Sequence, residues 1–218
     1  MIRPQGVVFS LILTLAIMAW PALVVSAQKA GVLLVVGDSL SAGYGIPQGK
    51  EWVHLLQRSL AQKQVPISVV NASISGDTTS GGLSRITPLL EREKPDWVLI
   101  ELGGNDGLRG MSLQAMETNL QAMVEAVKQH GAEPLLAGIK IPPNYGNKYR
   151  NRFEQVFVTI SERNGIPLLP FLLDGVGGVD ALMQPDRIHP NSQAQPLIAD
   201  NVWNFMQNVL SDKPEARN

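Results

Sequence analysis

Three side chains in this sequence could together form a nucleophilic centre: the hydroxyl of Ser39, the imidazole of His189 and the carboxylate of Asp186. A serine hydroxyl is a weak nucleophile, so it needs a base within hydrogen-bond reach and a group that orients the base. Asp186 and His189 are three residues apart, which allows the carboxylate to hold the Nδ1 proton and leaves Nε2 free as the base. The pattern predicts Ser39, Asp186 and His189 as catalytic residues that attack a carbonyl carbon.

Attack on a carbonyl also requires hydrogen-bond donors at the position where negative charge develops on the oxygen. The backbone N–H of Ser39 lies at the start of a predicted helix, where N–H groups have no acceptor within the helix. Gly76 can present its backbone N–H with no Cβ in the way, and Asn105 can present a side-chain N–H. We therefore predict an oxyanion hole with three donors, from Ser39, Gly76 and Asn105.

Each of these residues also has a simpler structural interpretation. Taken alone, Ser39 is more typical of a helix cap, and Asn105, which follows two glycines, is more typical of a turn. Asp38, Asp77 and Asp106 compete for the role of the acid, but each directly follows Gly or Asn and is interpreted as a turn or capping residue. The agreement among four separate loops favours the catalytic interpretation.

Short apolar segments bounded by Gly, Pro, Asn or Asp predict five buried strands, at 32–36, 67–70, 97–102, 134–139 and 166–169. Apolar residues at helical spacing predict helices over 51–64, 113–130, 149–160 and 198–209. Ser112 is the predicted N-cap of the second helix, and Gly131 and Gly165 are predicted to end the second and third. This alternation predicts a single-domain three-layer α/β/α fold with a five-stranded, doubly wound parallel sheet of the flavodoxin-like kind.

In a sheet of this kind, ligands bind at the carboxyl ends of the strands, where the strand order reverses. Four segments rich in Gly and small polar residues follow predicted strands or lie late in the chain, at 37–41, 71–77, 103–106 and 186–190. The fold should therefore bring the four segments together at one edge of the sheet.

These four segments, in this order, resemble the four sequence blocks of the SGNH, or GDSL, hydrolases: Gly37-Asp38-Ser39-Leu40-Ser41, Ser75-Gly76-Asp77, Gly103-Gly104-Asn105-Asp106 and Asp186-x-x-His189. The likeness covers nearly all of residues 31–210. It is strongest to the bacterial multifunctional group of acyl-CoA thioesterase I, protease I and lysophospholipase L1. The resemblance implies esterase and thioesterase activity on fatty acyl groups, a periplasmic location, no metal or other cofactor, and a mobile loop over 107–112 beside the site.

The segment after the fourth predicted strand is apolar and includes Ile141, Pro142, Pro143 and Tyr145. These residues could line a groove for an acyl chain or could simply cover the edge of the sheet, and their composition does not separate the two interpretations. Ile141, Asn144 and Tyr145 are the candidate substrate contacts. The predicted substrate is a small acyl ester or thioester, with lysophospholipids as a further candidate.

A non-catalytic flavodoxin-like module that binds a nucleotide or flavin is the alternative function. Its motifs match poorly, because Gly43-Tyr44-Gly45 is followed by Gln48 where a third Gly is needed. Before Gly49-Lys50, Tyr44 stands where a phosphate-binding loop needs Gly, and Glu51 stands where that loop needs Ser or Thr. The alternative remains open because a fold does not fix a function.

Composition excludes several function classes. Lys and Arg total 18 and Asp and Glu total 19, so the formal net charge of -1 provides no field to attract nucleic acid. The absence of Cys excludes disulfides, thiolate nucleophiles and Cys-ligated zinc. No second histidine is predicted near His189, so no metal site is expected.

Residues 1–27 are predicted to be a cleavable secretory signal, with Arg3, an apolar stretch over 7–20, Pro21 and a small-residue exit over 25–27. A membrane anchor is the alternative, because the apolar segment approaches the roughly 18 residues that begin to span a bilayer. Cleavage would leave residues 28–218 as one hydrolase domain, periplasmic or secreted, with no stable membrane span. We expect this domain to be a monomer.

Overall fold

The computed structural model describes residues 31–211, so the predicted signal segment, residues 1–27, lies outside the described residues. Five parallel strands form one sheet: β1 (Gly31–Gly37), β2 (Ile67–Asn71), β3 (Trp97–Glu101), β4 (Glu133–Ala137) and β5 (Leu168–Leu169). Their order across the sheet is β2-β1-β3-β4-β5. The predicted fold class is confirmed, and each predicted strand is present with its ends shifted by no more than two residues.

Helices cover both faces of the sheet in the described part of the chain: α1 (Ser39–Ala42), α2 (Trp52–Gln62), α3 (Thr79–Glu93), α4 (Gly104–Leu108), α5 (Leu113–Gln129), α6 (Asn147–Asn164) and α7 (Gln195–Ser211). Short 3₁₀ turns lie at Pro143–Tyr145 and Asp180–Leu182. The predicted N-cap of α5 is confirmed, because the Ser112 side chain accepts a hydrogen bond from the N–H of Ala115. None of the helices within residues 31–211 is long and apolar enough to cross a membrane.

Alternate residues of each central strand pack on opposite faces of the sheet, as the period of a strand requires. Leu33 and Val35 belong to the core that α2 and α7 cover. Leu34 and Val36 belong to the core that α3, α5 and α6 cover. Because both faces are buried, the strands are apolar at nearly every position, which is why the sequence displays them clearly.

Helix α3 is the longest helix that the sequence pattern does not predict. Gly81, Gly82 and Pro88 lie within it, and both residue types are unfavourable in a helix interior. Gly82 packs so closely on the sheet layer that a Cβ at this position would lie 2.2 Å from Cδ1 of Leu102. Gly82 therefore weakens the local helical pattern but lets α3 approach the end of β3.

The strand order reverses between β1 and β3, because the chain passes from β1 to β2 on one side and to β3 on the other. The loops after β1, β2 and β3 therefore meet at the carboxyl edge of the sheet. The N–H of Ile74, after β2, donates to the carbonyl of Gly37, at the end of β1, over 3.0 Å.

Replacing Gly82 with alanine should destabilise the protein, even though alanine favours a helix over glycine by about 1 kcal/mol. The new methyl group must displace the buried Leu102 side chain, and overpacking of this kind costs about 1–3 kcal/mol. We expect the free energy of unfolding, measured by urea denaturation, to fall by up to about 2 kcal/mol. Ser80→Ala, at an exposed position of the same helix, is the control. A free energy of unfolding for Gly82→Ala equal to or above the wild-type value would contradict the close approach.

Candidate active site

The carboxyl edge of the sheet brings Ser39, His189 and Asp186 into one hydrogen-bonded chain. Nε2 of His189 lies 2.8 Å from the Ser39 hydroxyl, and Nδ1 lies 2.7 Å from Oδ2 of Asp186. An ionised carboxylate can only accept a hydrogen bond, so Nδ1 carries the imidazole proton and Nε2 accepts from the Ser39 hydroxyl. The succession of hydrogen bonds, from Asp186 through His189 to Ser39, is the one that a serine nucleophile and its base require.

Ser39 is the first residue of α1 and directly follows the N-cap, Asp38. Oδ1 of Asp38 accepts a hydrogen bond from the N–H of Leu40 at 3.0 Å, so the capping side chain is that of Asp38. The Ser39 side chain is therefore free to contact the imidazole of His189. Its own N–H lies in the first helical turn, where no helix carbonyl can accept it.

The loop that contains His189 holds the Asp186 carboxylate by its own backbone. Oδ1 of Asp186 accepts hydrogen bonds from the N–H groups of Ile188 and His189, each at 3.0 Å. On the other side, the ring of Tyr44 lies 4.6 Å from the ring of His189, centroid to centroid. Nε2 of Gln184 donates to the carbonyl of Tyr44 at 2.8 Å, so this ring is tied to the same loop.

These contacts set the charge of Asp186. Burial alone would raise the pKa of the Asp186 carboxyl, but hydrogen bonds from the backbone and ring of His189 and from the N–H of Ile188 lower it below its ordinary value. The carboxylate is therefore charged at neutral pH, as its role as an acceptor from Nδ1 requires.

Asn105 lies in α4, and its side chain reaches back to the loop after β1. Its Nδ2 donates to Oδ2 of Asp38 at 3.0 Å. The turn into α4 depends on Gly103, whose backbone has a φ of 118°, in the region that favours glycine. The side chains of Asn105, Ser39 and His189 line one cleft.

Gly76 lies in the loop after β2, with a φ of 81°. It does not line the cleft directly, but Nη2 of Arg109 donates to its carbonyl at 3.0 Å and lies 3.5 Å from Oδ1 of Asn105. Among the described residues, no acceptor is found for the N–H of Gly76. Arg109 therefore connects two of the three predicted oxyanion donors, although the sequence pattern does not single it out.

The other three acids considered as orienting groups have structural partners. Asp77 pairs with Arg85 at 2.8 Å, and Asp106 accepts hydrogen bonds from the N–H and hydroxyl of Thr79. Asp38 is the cap of α1 and the acceptor for the Asn105 amide. Asp38 is thus a capping residue, as interpreted, whereas the contacts of Asp77 and Asp106 are with residues of α3.

Glu101, the last residue of β3, is a buried acid beside the nucleophile loop that sequence reasoning missed. Its Oε2 accepts from the Ser41 hydroxyl at 2.6 Å and from the N–H of Asp38 at 3.3 Å. Its Oε1 has no hydrogen-bond partner within residues 31–211. Burial and the charge of Asp38 raise the pKa of Glu101 well above its ordinary value, so the neutral acid is favoured. The one available signal was a charged residue at the end of an apolar strand.

Burial also raises the pKa of Asp38, to about 6, against the lowering effects of the Leu40 N–H, the imidazole of His189 and the Asn105 amide. Asp38 and Glu101 therefore differ from Asp186, the acid that contacts His189, in the direction of their pKa shifts. The pKa values of the three carboxyl groups are therefore set apart by their surroundings rather than by residue type.

A cleft of about 500 Å³ extends from Ser39 and His189. Most of its lining is apolar, from the residues Leu40, Leu108, Ile139, Ile141, Pro142, Pro143, Phe171, Leu173, Met183 and Ile188. Its basic lining residues are Lys140, Arg150 and Arg187. The size and composition of the cleft suit a mostly apolar ligand that also carries a polar group.

The candidate substrate contacts occupy two different positions. Ile141 lines the cleft together with Pro142 and Pro143, so this apolar segment forms part of the cleft wall. Asn144 and Tyr145 lie in the adjacent 3₁₀ turn and are not lining residues of the cleft. The Tyr145 hydroxyl donates to the carbonyl of Leu108 at 2.7 Å, which ties this turn to α4.

The side chains and the segment considered for metal or phosphate binding can be located within residues 31–211. Within residues 31–211, no three His, Asp or Glu side chains are grouped to hold a metal ion. In the segment considered for phosphate binding, Gly43 ends α1 and the Tyr44 ring packs against the imidazole. This segment therefore packs against the His189 ring.

Comparison with known proteins gives concordant matches over most of the chain. Residues 35–196 match the GDSL-like Lipase/Acylhydrolase family. The chain is 49% identical over 191 residues to "Esterase TesA" of Pseudomonas aeruginosa, covering 87% of this chain and 95% of that protein. It is 47% identical over 185 residues to "Thioesterase 1/protease 1/lysophospholipase L1" of Escherichia coli K12, covering 85% and 88%. The crystal structure of the psychrotrophic esterase EstA from Pseudoalteromonas sp. aligns with a TM-score of 0.81 at 44% identity, covering 84% of this chain and 100% of that one.

Replacing Glu101 with glutamine should flatten the pH dependence of stability. The folded-state pKa of Glu101 lies above the ordinary value of 4.5, so between the two values the folded protein holds a proton that the unfolded chain has lost. The contribution of this group to the free energy of unfolding is therefore present below pH 4.5 and falls as the pH rises through the folded-state pKa. The stability of Glu101→Gln should thus improve relative to wild type as the pH rises from about 4.5 to about 8.

Urea denaturation at several pH values measures this difference, and Glu91→Gln, at an exposed position on α3, is the matched control. A constant difference between Glu101→Gln and wild type over that pH range would mean that Glu101 is ionised in the folded protein.

Proposed function

Because the chain belongs to the GDSL-like lipase/acylhydrolase family, we propose that it is a serine hydrolase that cleaves carboxylic esters and thioesters of acyl chains through an acyl-enzyme on Ser39. The observation that carries the proposal is the chain of contacts from Asp186 through His189 to the Ser39 hydroxyl, at the end of an apolar cleft. Similar proteins named esterase, thioesterase, lysophospholipase and arylesterase support this substrate class.

In the first half of the reaction, the Ser39 oxygen attacks the carbonyl carbon and its proton passes to Nε2 of His189. Asp186 keeps its hydrogen bond to Nδ1 and stabilises the imidazolium that forms. The bond to the alcohol or thiol then breaks, and His189 returns the proton to the leaving group. The acyl group remains on Ser39 as an ester.

In the second half, water occupies the place of the leaving group. His189 takes a proton from this water as its oxygen attacks the carbonyl carbon of the acyl-enzyme. The bond to the Ser39 oxygen breaks, the proton returns to Ser39, and the carboxylic acid is released.

Both halves develop negative charge on the same carbonyl oxygen. The Ser39 N–H, the Gly76 N–H and the Asn105 side-chain amide are the proposed donors to this oxyanion. Three observations support this. Ser39 lies in the first turn of α1, and no acceptor is found for the Gly76 N–H among the described residues. The Asn105 side chain lines the cleft. Donors fixed in this way stabilise the transition state without having to reorganise.

The cleft supports an acyl chain as the variable part of the substrate. Its apolar wall, which includes Ile141, would bury the chain, and the basic lining residues Lys140, Arg150 and Arg187 favour a neutral or anionic substrate over a cationic one. Contacts of Asn144 and Tyr145 with the substrate stay predictions, as do a lysophospholipid substrate and a monomeric state. Export by residues 1–27 to the periplasm or out of the cell is also still a prediction.

The alternative, a nucleotide- or flavin-binding module, is not favoured. The segment with the nearest likeness to a phosphate loop packs Tyr44 on the imidazole of His189. A binding module would also have no need for the contact between His189 and Ser39.

Ser39→Ala should lose at least about a thousandfold in turnover on acyl esters and acyl thioesters of every chain length, because the nucleophile is removed. Initial rates over a series of chain lengths measure this loss and also give the preferred acyl length of the wild type. Ser80→Ala, which changes an exposed serine on α3, is the control and should keep wild-type rates. Wild-type rates in Ser39→Ala would refute the proposed mechanism.

Asn105→Ala should lower kcat by about a hundredfold to a thousandfold and change KM much less. The physical reason is that a donor to the oxyanion binds more strongly as charge builds on the oxygen. Steady-state kinetics on one acyl ester separate kcat from KM, and Asn204→Ala, on the exposed face of α7, is the matched control. A kcat equal to that of wild type would exclude Asn105 from the oxyanion hole.

A further inference from the structure

The side-chain amide of Asn105 is held at both of its ends by groups of opposite charge. Its Nδ2 donates to Oδ2 of Asp38 at 3.0 Å, and its Oδ1 lies 3.5 Å from Nη2 of Arg109. A carboxylate can only accept and a guanidinium can only donate. The two partners therefore fix which end of the amide is nitrogen and which is oxygen.

Rotation of the amide by half a turn would reverse both contacts. The amide oxygen would then face the Asp38 carboxylate, and the NH₂ group would face the Arg109 guanidinium. An acceptor would then face an acceptor at Asp38, and a donor would face a donor at Arg109. Both repulsive contacts would lie next to the cleft, where water screens charge less than in bulk solvent. With the amide fixed, one N–H of Nδ2 is used by Asp38 and the second remains for a ligand in the cleft.

The same two charged residues also contact the other proposed donors. Oδ1 of Asp38 accepts from the N–H of Leu40, which orients the first turn of α1 and with it the N–H of Ser39. Nη2 of Arg109 donates to the carbonyl of Gly76 at 3.0 Å. The three loops that supply the donors are thus connected through one carboxylate and one guanidinium.

Arg109 is exposed and lies outside the two hydrophobic cores of the described chain. Its removal opens no cavity in either core. Asp38 is buried, and substitution by asparagine keeps its size and an acceptor for Leu40. Each partner can therefore be changed separately in a folded protein.

We propose that Arg109 and Asp38 are positioning residues that hold the Asn105 amide between them, so that its second N–H points to the oxyanion. This inference rests on the proposed hydrolase function and adds two residues that do not themselves contact the reacting atoms. Removal of either partner leaves Asn105 in place but frees its amide to rotate.

Kinetics of Arg109→Met and Asp38→Asn on one acyl ester test the proposal. In Asp38→Asn, the Leu40 cap is kept only if the new amide oxygen accepts from the Leu40 N–H, which turns the new NH₂ group toward the NH₂ group of Asn105, so the Asn105 amide loses its acceptor. We expect each variant to lower kcat about tenfold or more, as is typical when a supporting partner of an active-site group is lost, with a KM within about threefold of wild type. Arg92→Met, which removes an exposed arginine at the far end of α3, is the charge control and should keep the wild-type kcat.

A double-mutant cycle with Asn105→Ala separates positioning from a general structural effect. If Arg109 and Asp38 act through Asn105, the same substitutions in the Asn105→Ala background should lower kcat by less than about threefold. A kcat within about twofold of wild type for Arg109→Met or Asp38→Asn overturns the proposal. A loss that persists in full without Asn105 also overturns it.

Ser39→Ala belongs in the same series because it distinguishes two kinds of failure. If Ser39→Ala keeps its turnover, the proposed hydrolase mechanism fails and the positioning role fails with it. If Ser39→Ala is inactive and Asn105→Ala is slow while Arg109→Met has the wild-type kcat, the mechanism stands and the positioning role alone is refuted.

Discussion

The hydrogen bond between the Ser39 hydroxyl and Nε2 of His189 joins residues that are 150 positions apart in the chain, and the geometry of the site depends on it. Separate local structures hold its two ends. The Ser39 end is fixed by the short helix after β1 and its Asp38 cap, and the His189 end is fixed by a loop whose backbone N–H groups bind Asp186. The parallel sheet brings these two local structures together at one edge, which neither of them can do alone.

The charges near this hydrogen bond follow from burial and hydrogen bonding. Asp186 is kept ionised by donors from its own loop and fixes the tautomer that leaves Nε2 free. Asp38 and Glu101 are buried whereas Asp186 is exposed, and burial raises the pKa of both Asp38 and Glu101. A second fully ionised carboxylate beside the nucleophile would oppose the negative charge that develops on the carbonyl oxygen, so a neutral Glu101 is compatible with the proposed chemistry.

The sequence predicts the sheet well because strands buried on both faces are apolar at nearly every position. It also predicts the loops that meet, since parallel strands bring their carboxyl ends to one edge. It does not predict α3, because Gly82 serves a tertiary contact with Leu102 that no local pattern records. For the same reason, the contacts of Glu101 with Ser41 and of Arg109 with the carbonyl of Gly76 could not be predicted, because they depend on side-chain directions across different loops.

Reaction with a phosphonate that carries a good leaving group tests the central contact most directly, because the phosphorus centre reacts with an activated serine hydroxyl and the adduct can be located by peptide mass spectrometry. The account predicts a single adduct, on the peptide that contains Ser39, and much slower labelling of that peptide in His189→Ala. Absence of the adduct, an adduct on another residue, or labelling of Ser39 at an equal rate in His189→Ala would contradict it.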